Sequence, residues 1–197
     1  VTLDAVADKF GDLLSKMQWL NFGGGHHITR PGYDMATLER CIHRAQADWG
    51  VTVYLEPGEA CALNAGYLLT RVLDVVQNGD TTIAILDASA ACHMPDVIEM
   101  PYRPPLLAAE EPCKKSCTVR LAGPTCLAGD VIGDYSFDVV PAVGDLLVFG
   151  DMAIYTTCKN NTFNGMPLPS IYARKPNGIT REIVTFGYSD FKHRVGK

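Results

Sequence analysis

Two stretches of the sequence combine residue types that could hold and polarise a small anionic ligand. Gly23, Gly24 and Gly25 follow the apolar run WLNF, and Glu56 follows VTVYL and precedes a Pro-Gly pair. Glycine inside a regular element costs about 0.5–1 kcal/mol relative to alanine, so three in a row need a reason. A flexible loop and a tight turn are two such reasons, and a backbone that approaches a phosphate through its N–H groups is a third. The rigid Pro-Gly turn would fix the direction of the Glu56 carboxylate.

Two further stretches place a reactive or aromatic side chain in a loop. In GPTCLAGD, Cys126 lies in a turn where an exposed thiol could transfer a proton, although a buried inert cysteine is the alternative. Asp130, which closes this stretch, is interpreted as a turn residue. In GDMAIYTTCKNNTFNG, the pattern predicts Tyr155 at the end of an apolar strand, ahead of a polar loop that carries Phe163. Ordinary core packing is the alternative for both aromatic side chains.

The segment 87–104, DASAACHMPDVIEMPYRP, collects acidic residues and an arginine. Carboxylates bind the amino groups of a substrate and a guanidinium binds its carboxylate, so we predict a specificity loop here. Its candidate substrate-binding residues are Asp87, Asp96, Glu99 and Arg103. His26 and His27 follow the glycines directly and could contact the same ligand. A solvated or locally hydrogen-bonded histidine is the simpler interpretation for at least one of them.

Hydrophobic periodicity predicts the elements that must position these residues. Residues 1–17 predict a helix with one buried apolar face, and residues 34–50 predict a second helix with Asp34 as its N-cap and Gly50 as its stop. The apolar face of the helix predicted over residues 1–17 comprises Leu3, Val6, Phe10, Leu13, Leu14 and Met17. The runs before the glycines and before Glu56 predict strands. This order of helix, strand, helix, strand is typical of βα units, whose sites lie at the carboxyl ends of parallel strands.

The hydrophobic period changes between residues 62 and 70, with no flexible linker. An Asn-Gly pair then separates two β-rich runs within 67–89, which predicts a hairpin, and short β-rich runs continue to the end. We therefore predict an α/β part over residues 1–66 and an all-β part over residues 67–197.

Composition limits the possible partners. The chain of 197 residues is 47% hydrophobic with a net charge of −5 and has no basic run, so nucleic acid and an anionic membrane surface are not expected. Seven cysteines without a Cys-x-x-Cys pair predict reduced thiols in a cytoplasmic protein. Neither Cys92-His93 nor the pair Cys113 and Cys117 has zinc-site spacing, so no metal is expected. A start on an apolar helix without an initiator Met predicts a fragment of a longer protein.

The stretches GGG, EPG, GPTC and YT followed by TFNG occur in this order across the change from α/β to β texture. Together they resemble the fold-type III pyridoxal-phosphate-dependent decarboxylases, which include ornithine, diaminopimelate and carboxynorspermidine decarboxylases. The resemblance covers essentially the whole chain. The stretches LDASAACHMPDVIEMPYRPP and GPTCLAGDVIGDY are most similar to the carboxynorspermidine branch. The resemblance implies the last βα units of an alanine-racemase-like TIM barrel, followed by a carboxy-terminal β-barrel or β-sandwich domain.

The resemblance also implies roles for particular residues. The glycine run would hold the phosphate of pyridoxal 5'-phosphate, Glu56 would pair with its ring nitrogen, and Tyr155 would reach the phosphate or the ring. Cys126 would come from the other subunit of a homodimer and protonate the substrate carbon after loss of CO₂. Phe163 would line the same interface. The implied substrates are carboxynorspermidine and carboxyspermidine, and the implied pathway is polyamine biosynthesis.

Three departures from the family pattern bear on the substrate and on activity. Leu127 stands where ornithine and diaminopimelate decarboxylases carry an acid. Glu59 stands where those relatives carry an arginine that reaches the phosphate, and we expect it to face a substrate amine instead. No lysine of this chain fits the Schiff-base role, so that lysine is expected upstream and the isolated chain is expected to be inactive. Two alternatives stay open: a diaminopimelate, lysine or arginine decarboxylase of the same fold, and a non-catalytic regulatory homologue.

Overall fold

The computed structural model describes residues 1–196 and divides the chain into two compact units. The first unit is Val1–Leu63 and the second begins at Asn64. This division lies within the stretch 62–70, where the hydrophobic period changes. The domain boundary placed after residue 66 stays a prediction.

The first unit alternates helices with two short parallel strands. Its elements are α1 Thr2–Leu14, β1 Trp19–Asn21, α2 Met35–Trp49, β2 Thr52–Tyr54 and α3 Gly58–Ala62, and β1 pairs in parallel with β2. The predicted order of helix, strand, helix, strand is therefore confirmed. Both predicted ends of α2 are confirmed too. The Asp34 carboxylate accepts the Thr37 N–H at 2.9 Å, and Gly50 ends the helix in the left-handed region at φ 66°.

The predicted burial of the α1 face is wrong within this unit. Of the six apolar residues predicted to form this face, only Leu14 is buried, whereas Phe10, Leu13 and, just beyond the helix, Met17 are 52%, 49% and 42% exposed. The physical reason is the size of the sheet, because two strands of three residues each are too small to cover an amphipathic helix of this length. The unit thus leaves an apolar helix face uncovered.

The second unit contains a five-stranded sheet in the order β6-β5-β4-β3-β7. Its strands are β3 Leu68–Asn78, β4 Thr81–Leu86, β5 Cys117–Ala122, β6 Val131–Phe137 and β7 Leu146–Phe149. The predicted hairpin is confirmed, since β3 and β4 pair antiparallel around Gly79, which has a φ of 56°. Strands β4 and β5 pair in parallel, so a crossover connects them, and that crossover carries the segment 87–104.

One apolar cluster holds this sheet to the crossover. Phe149, Leu86 and Val119 come from three different strands, while Met94 comes from the crossover, and all four are fully buried. The crossover is therefore packed against the sheet and cannot behave as a free loop.

Short elements complete the second unit. They are α4 Ala90–His93, α5 Asp96–Glu99, α6 Tyr155–Cys158, a 3₁₀ turn Phe163–Gly165, β8 Ile171–Arg174, β9 Thr180–Val184 and α7 Tyr188–Val195. The predicted strand ending at Tyr155 is wrong, because β7 ends at Phe149 and Tyr155 begins α6. Asp151 explains the break: its backbone is left-handed at φ 54° and its carboxylate accepts the Asn64 N–H at 2.7 Å. The part predicted as all-β thus also contains short helices.

Candidate active site

The glycine run and the EPG turn lie side by side in the first unit. Each directly follows one of the two parallel strands. Gly23 and Gly25 have φ values of 75° and 77°, and a side chain on Gly24 would come within 3.0 Å of the Glu56 carbonyl oxygen. The Glu56 N–H also donates to the Gly23 carbonyl at 2.9 Å. The geometry thus favours glycine at all three positions, and it forms a compact backbone cradle.

Asn21, which the sequence analysis did not single out, orients this cradle. Its amide donates to the Glu56 carboxylate at 2.5 Å, and its carbonyl oxygen accepts the Gly23 N–H at 2.8 Å. One side chain therefore fixes both the start of the glycine run and the direction of the glutamate. The available signal was its position, as the last residue of a strand two places before a glycine triplet.

Glu59 lies beside two basic side chains of the same unit. Its carboxylate is 3.2 Å from both His27 Nδ1 and Arg30 Nη2. Arg30 is a cation that sequence reasoning did not identify. His26 makes local contacts at 3.2 Å to the Tyr33 hydroxyl and at 3.4 Å to a backbone carbonyl. The pairing of Glu59 with a substrate amine stays a prediction.

Asp130 lies at the centre of a hydrogen-bond network in the second unit. Its side chain is almost fully buried, with the residue only 3% exposed. The Ser89 hydroxyl lies 2.9 Å from both carboxylate oxygens, and the Ala91 N–H donates at 3.2 Å. The Thr125 hydroxyl and N–H donate at 2.6 and 3.3 Å. Asp130, which the sequence analysis interpreted as a turn residue, is thus a buried residue that joins the crossover to the GPTC stretch through hydrogen bonds.

Gly123 provides the space that this carboxylate occupies. A Cβ atom at position 123 would lie 2.2 Å from Asp130 Oδ2, and the Gly123 N–H donates to the Asp130 carbonyl at 2.8 Å. The stretch GPTC followed by Asp130 therefore has a physical explanation. Glycine leaves room, Thr125 donates to the carboxylate, and Cys126 comes next on an exposed turn.

Cys126 contacts the loop that carries Phe163. Its N–H lies 3.4 Å and its Sγ lies 3.1 Å from the carbonyl oxygen of the Asn164 side chain. Phe163 itself is 47% exposed. The structure thus brings together two stretches, GPTC and TFNG, that are far apart in the sequence.

The same loop is fastened to helix α4. The Asn161 amide donates to the Ala91 carbonyl at 2.7 Å, and the Asn161 N–H donates to the Cys92 carbonyl at 3.0 Å. The Cys92 thiol donates to the Phe163 carbonyl at 3.5 Å. Segments 89–93, 123–130 and 159–167 therefore form one connected assembly, which we term the three-loop cluster.

The neutral side chain of His93 links two segments of this cluster. Its Nε2–H donates to the Pro167 carbonyl at 3.0 Å, and its Nδ1 accepts the Ser89 N–H at 3.1 Å. These two contacts assign the tautomer, because a carbonyl only accepts and a backbone N–H only donates. Burial lowers the pKa of His93 below its usual value of 6.5, against the opposing effects of the Pro167 carbonyl and the Asp130 carboxylate.

We expect His93 to make the stability of the second unit depend on pH. Its folded-state pKa is depressed, so the unfolded chain binds more protons below the unfolded value of about 6.5. The contribution is thus fully present above that pH and is lost as the pH falls towards the folded pKa, with a slope of at most about 1.4 kcal/mol per pH unit.

Urea unfolding at about pH 8 and about pH 5.5, on either side of the ordinary histidine pKa, tests this dependence. His93→Leu should lower the free energy of unfolding at the higher pH and remove part of the decrease between the two. An unchanged difference between the two pH values in the variant would contradict the assignment.

The predicted substrate-binding acids of the crossover already have partners. Lys159 Nζ lies 2.5 Å from Asp96 and 2.9 Å from Glu99, and 5.2 Å from the centre of the Tyr155 ring. Hydrogen bonds to Asp96 and then Glu99 raise the pKa of Lys159 above its usual value. The two acids therefore converge on one ammonium group next to the aromatic ring of Tyr155.

The other two candidates lie elsewhere. Asp87 accepts the Thr70 hydroxyl at 2.5 Å and the Arg71 N–H at 2.8 Å. Arg103 pairs with Glu111 and lies over the Tyr135 ring. Asp87, Arg103 and the pair formed by Asp96 and Glu99 thus occupy separate places, and their contact with a substrate stays a prediction.

The cysteine and histidine candidates for metal binding have other partners. Cys92 and His93 point at the carbonyls of Phe163 and Pro167, and the Cys117 thiol donates to a backbone carbonyl at 3.2 Å. Within residues 1–196 no group of three potential ligands could hold a metal ion. No helix of the described chain is long and apolar enough to span a bilayer.

Comparison with known proteins identifies the class of this chain. Residues 5–153 match the family described as the pyridoxal-dependent decarboxylase, C-terminal sheet domain. The match covers more than half of the sequence, so the chain belongs to this family. The suspected relationship to fold-type III pyridoxal-phosphate decarboxylases is thereby confirmed.

Several individual decarboxylases are similar to this chain over nearly its whole length. The carboxyaminopropylagmatine decarboxylase of Synechocystis is 42% identical over 99% of this chain and 51% of its own length. The carboxynorspermidine/carboxyspermidine decarboxylase of Campylobacter jejuni is 42% identical over 98% of this chain and 53% of its own. The crystal structure of Campylobacter jejuni carboxynorspermidine decarboxylase complexed with norspermidine superposes with a TM-score of 0.85, at 41% identity over 98% of this chain and 56% of that one. The chain thus spans about half the length of these relatives.

Proposed function

We propose that the whole protein is a pyridoxal-phosphate-dependent decarboxylase that converts carboxynorspermidine or carboxyspermidine into norspermidine or spermidine. The observation that carries this proposal is the 42% identity, over 98% of the chain, to an enzyme named for both substrates. It is supported by the solved relative that holds norspermidine. Because the chain spans half of such enzymes, its own residues would supply only part of the active site.

The uncovered face of α1 supports the expected architecture. A two-stranded parallel sheet with an exposed amphipathic helix needs further strands and helices to bury its apolar surface. We propose that the first unit contributes the last βα units of a TIM barrel, and the second unit a β-barrel or β-sandwich domain. The Schiff-base lysine would lie on another part of that barrel. A cytoplasmic homodimer with shared active sites is part of the same proposal.

The residues of the first unit fit the cofactor. Gly23 and Gly25 have left-handed backbones and Gly24 packs against the Glu56 carbonyl, and a backbone cradle of this kind suits a phosphate. Glu56, held by Asn21 through one carboxylate oxygen, would keep the pyridine nitrogen protonated. Pyridoxal 5'-phosphate would supply the electron sink for the carbanion left by CO₂. Tyr155 would contact the same cofactor.

The second unit would supply the proton donor and part of the substrate site. Cys126 would protonate the substrate carbon, with Phe163 beside it. Asp96 and Glu99 would bind a substrate amine in competition with the Lys159 ammonium group, which both carboxylates already contact. Glu59, Asp87 and Arg103 remain proposed substrate contacts.

A second substrate is favoured by a specific observation. The Synechocystis enzyme is also 42% identical to this chain, and its substrate ends in a guanidinium in place of an ammonium group. The diaminopimelate decarboxylases of Deinococcus radiodurans and Oryza sativa are 28% and 24% identical to this chain, and Leu127 stands where such enzymes carry an acid. A non-catalytic role is disfavoured because Glu56, Cys126 and Tyr155 are all present.

A substrate panel on the full-length protein, loaded with pyridoxal phosphate, tests the proposal. Product formation from carboxynorspermidine, carboxyspermidine, carboxyaminopropylagmatine and diaminopimelate is followed by mass spectrometry. We expect kcat/KM for a carboxylated polyamine to exceed that for diaminopimelate by about 100-fold or more.

Preference for the guanidinium-ended substrate would move the assignment to the Synechocystis type. Preference for diaminopimelate would overturn it. Failure to bind pyridoxal phosphate, seen as an absent visible absorbance, would favour the regulatory homologue.

A further inference from the structure

We propose that Asn164 is a positioning residue that holds the Cys126 thiol in place for its role as proton donor. This inference rests on the proposed function. Asn164 acts through Cys126 and needs no contact of its own with substrate or cofactor.

The contact between the two residues is double. The side-chain carbonyl oxygen of Asn164 lies 3.1 Å from Cys126 Sγ and 3.4 Å from the Cys126 backbone nitrogen. One acceptor thus restrains both the thiol and the turn that carries it. Cys126 is exposed, so without this acceptor its side chain would be free to rotate into solvent.

The backbone of Asn164 explains why this residue type stands there. Its φ of 56° and ψ of 18° are left-handed, and the next residue, Gly165, has a φ of 73°. Non-glycine residues rarely adopt this region, and asparagine is among the most tolerant of it. Only asparagine or aspartate combines that tolerance with a short side-chain acceptor for the thiol.

Both sides of the contact are anchored independently of it. On one side, Asn161 and the Phe163 carbonyl are bound to helix α4, and the Pro167 carbonyl is bound to His93. On the other side, Thr125 is bound to the buried Asp130. Removing the Asn164 side chain should therefore release the thiol while the two segments stay in place.

The consequence is specific to the proton-transfer step. A proton donor works only when it is held within reach of the atom that it protonates. Loss of the restraint should lower kcat and leave KM nearly unchanged. It should also raise the rate at which a small alkylating reagent meets Cys126.

The test compares Asn164→Gly and Asn164→Asp in the full-length, cofactor-loaded protein. Glycine keeps the left-handed backbone without strain and removes the acceptor, whereas aspartate keeps both an acceptor oxygen and the backbone preference. Asn177→Gly is the matched control, because Asn177 lies in the turn between β8 and β9 and accepts the Ile179 N–H. Steady-state kinetics are measured beside iodoacetamide labelling of the Cys126 peptide.

For Asn164→Gly we expect kcat to fall about tenfold, KM to stay within about twofold, and Cys126 labelling to rise several-fold. Asn164→Asp should restore slow labelling and most of kcat, and Asn177→Gly should match the parent protein. A change in only one of kcat and labelling, or in neither, overturns the proposal.

Failure of the proposed function would look different. The parent protein would then decarboxylate none of the carboxylated polyamines, or Cys126→Ala would leave kcat intact.

Discussion

Replacing Asp130 with alanine will lower the free energy of unfolding of the second unit by about 3–5 kcal/mol, because it leaves several buried or partly buried donors without an acceptor. Those donors are the hydroxyls of Ser89 and Thr125 and the N–H groups of Ala91 and Thr125. The hydroxyls can turn to other acceptors, but the backbone groups cannot. The free energy of unfolding should therefore fall by more than it does for an ordinary substitution at the surface.

Hydrogen exchange shows which segments of the Asp130→Ala variant lose stability. Both tryptophans of the chain, Trp19 and Trp49, lie in the first unit, so their fluorescence would not report on this site. Urea unfolding followed by circular dichroism gives the free energy, and amide exchange of peptides covering 87–93 and 123–131 gives the location. We expect faster exchange in both peptides, since one carboxylate binds both.

Asp134→Ala is the matched control. Asp134 pairs with Arg120 at 2.8 Å on β6, and its side chain is 37% exposed. Exposed ion pairs contribute less than about 1 kcal/mol, so this variant should stay close to the parent. Equal losses for the two aspartates would show that burial of Asp130 does not set its contribution.

The sequence predicted the elements better than it predicted the contacts. The helix from Met35 and the hairpin at Gly79 were predicted correctly, because a cap residue and an Asn-Gly pair act over a few neighbouring positions. The strand to Tyr155 was wrong, because the prediction continued the strand across Gly150 and Asp151, where the left-handed backbone of Asp151 ends the apolar run. A side-chain acceptor for a distant N–H, at Asn64, leaves no local signal.

In the candidate site, too, features with a local sequence pattern were predicted and contacts between distant residues were not. The glycine run and Glu56 were placed at strand ends from local pattern alone, and they are adjacent in the structure. The junction at Asp130 depends on Ser89, 41 residues away, and no periodicity reports such a pairing. Asn161 and Asn164 were likewise missed, since their partners belong to other segments. The candidate stretches could thus be recognised in the sequence, whereas the side chains that join them could not.

Lys159, which contacts both Asp96 and Glu99, shows why a cluster of acidic residues in the sequence is not enough to predict a substrate site. The two acids form a plausible site for a substrate amine when only the sequence is known. In the folded chain, Lys159 supplies the ammonium group. A substrate would therefore have to compete with an internal cation, which is a stricter requirement than acidic residues alone suggest.

Gly123→Ala will lower the free energy of unfolding by about 2–4 kcal/mol, because the new methyl group overlaps a buried carboxylate that cannot move without losing its partners. The added Cβ would lie 2.2 Å from Asp130 Oδ2 and 2.6 Å from its Cγ. Gly129→Ala in the same loop is the matched control, since nothing lies within 4 Å of a Cβ at that position. That control should change stability by less than about 0.5 kcal/mol.

The double variant identifies the cause of this loss. If the methyl group acts only through the carboxylate, Gly123→Ala should cost little once Asp130 is already alanine. The sum of the two single losses would then exceed the loss of the double variant by nearly the whole loss of Gly123→Ala, as expected for strongly coupled residues in contact. Additive losses would instead mean that Gly123 is required by its own backbone, and the explanation of the GPTC stretch by the space it leaves for Asp130 would be wrong.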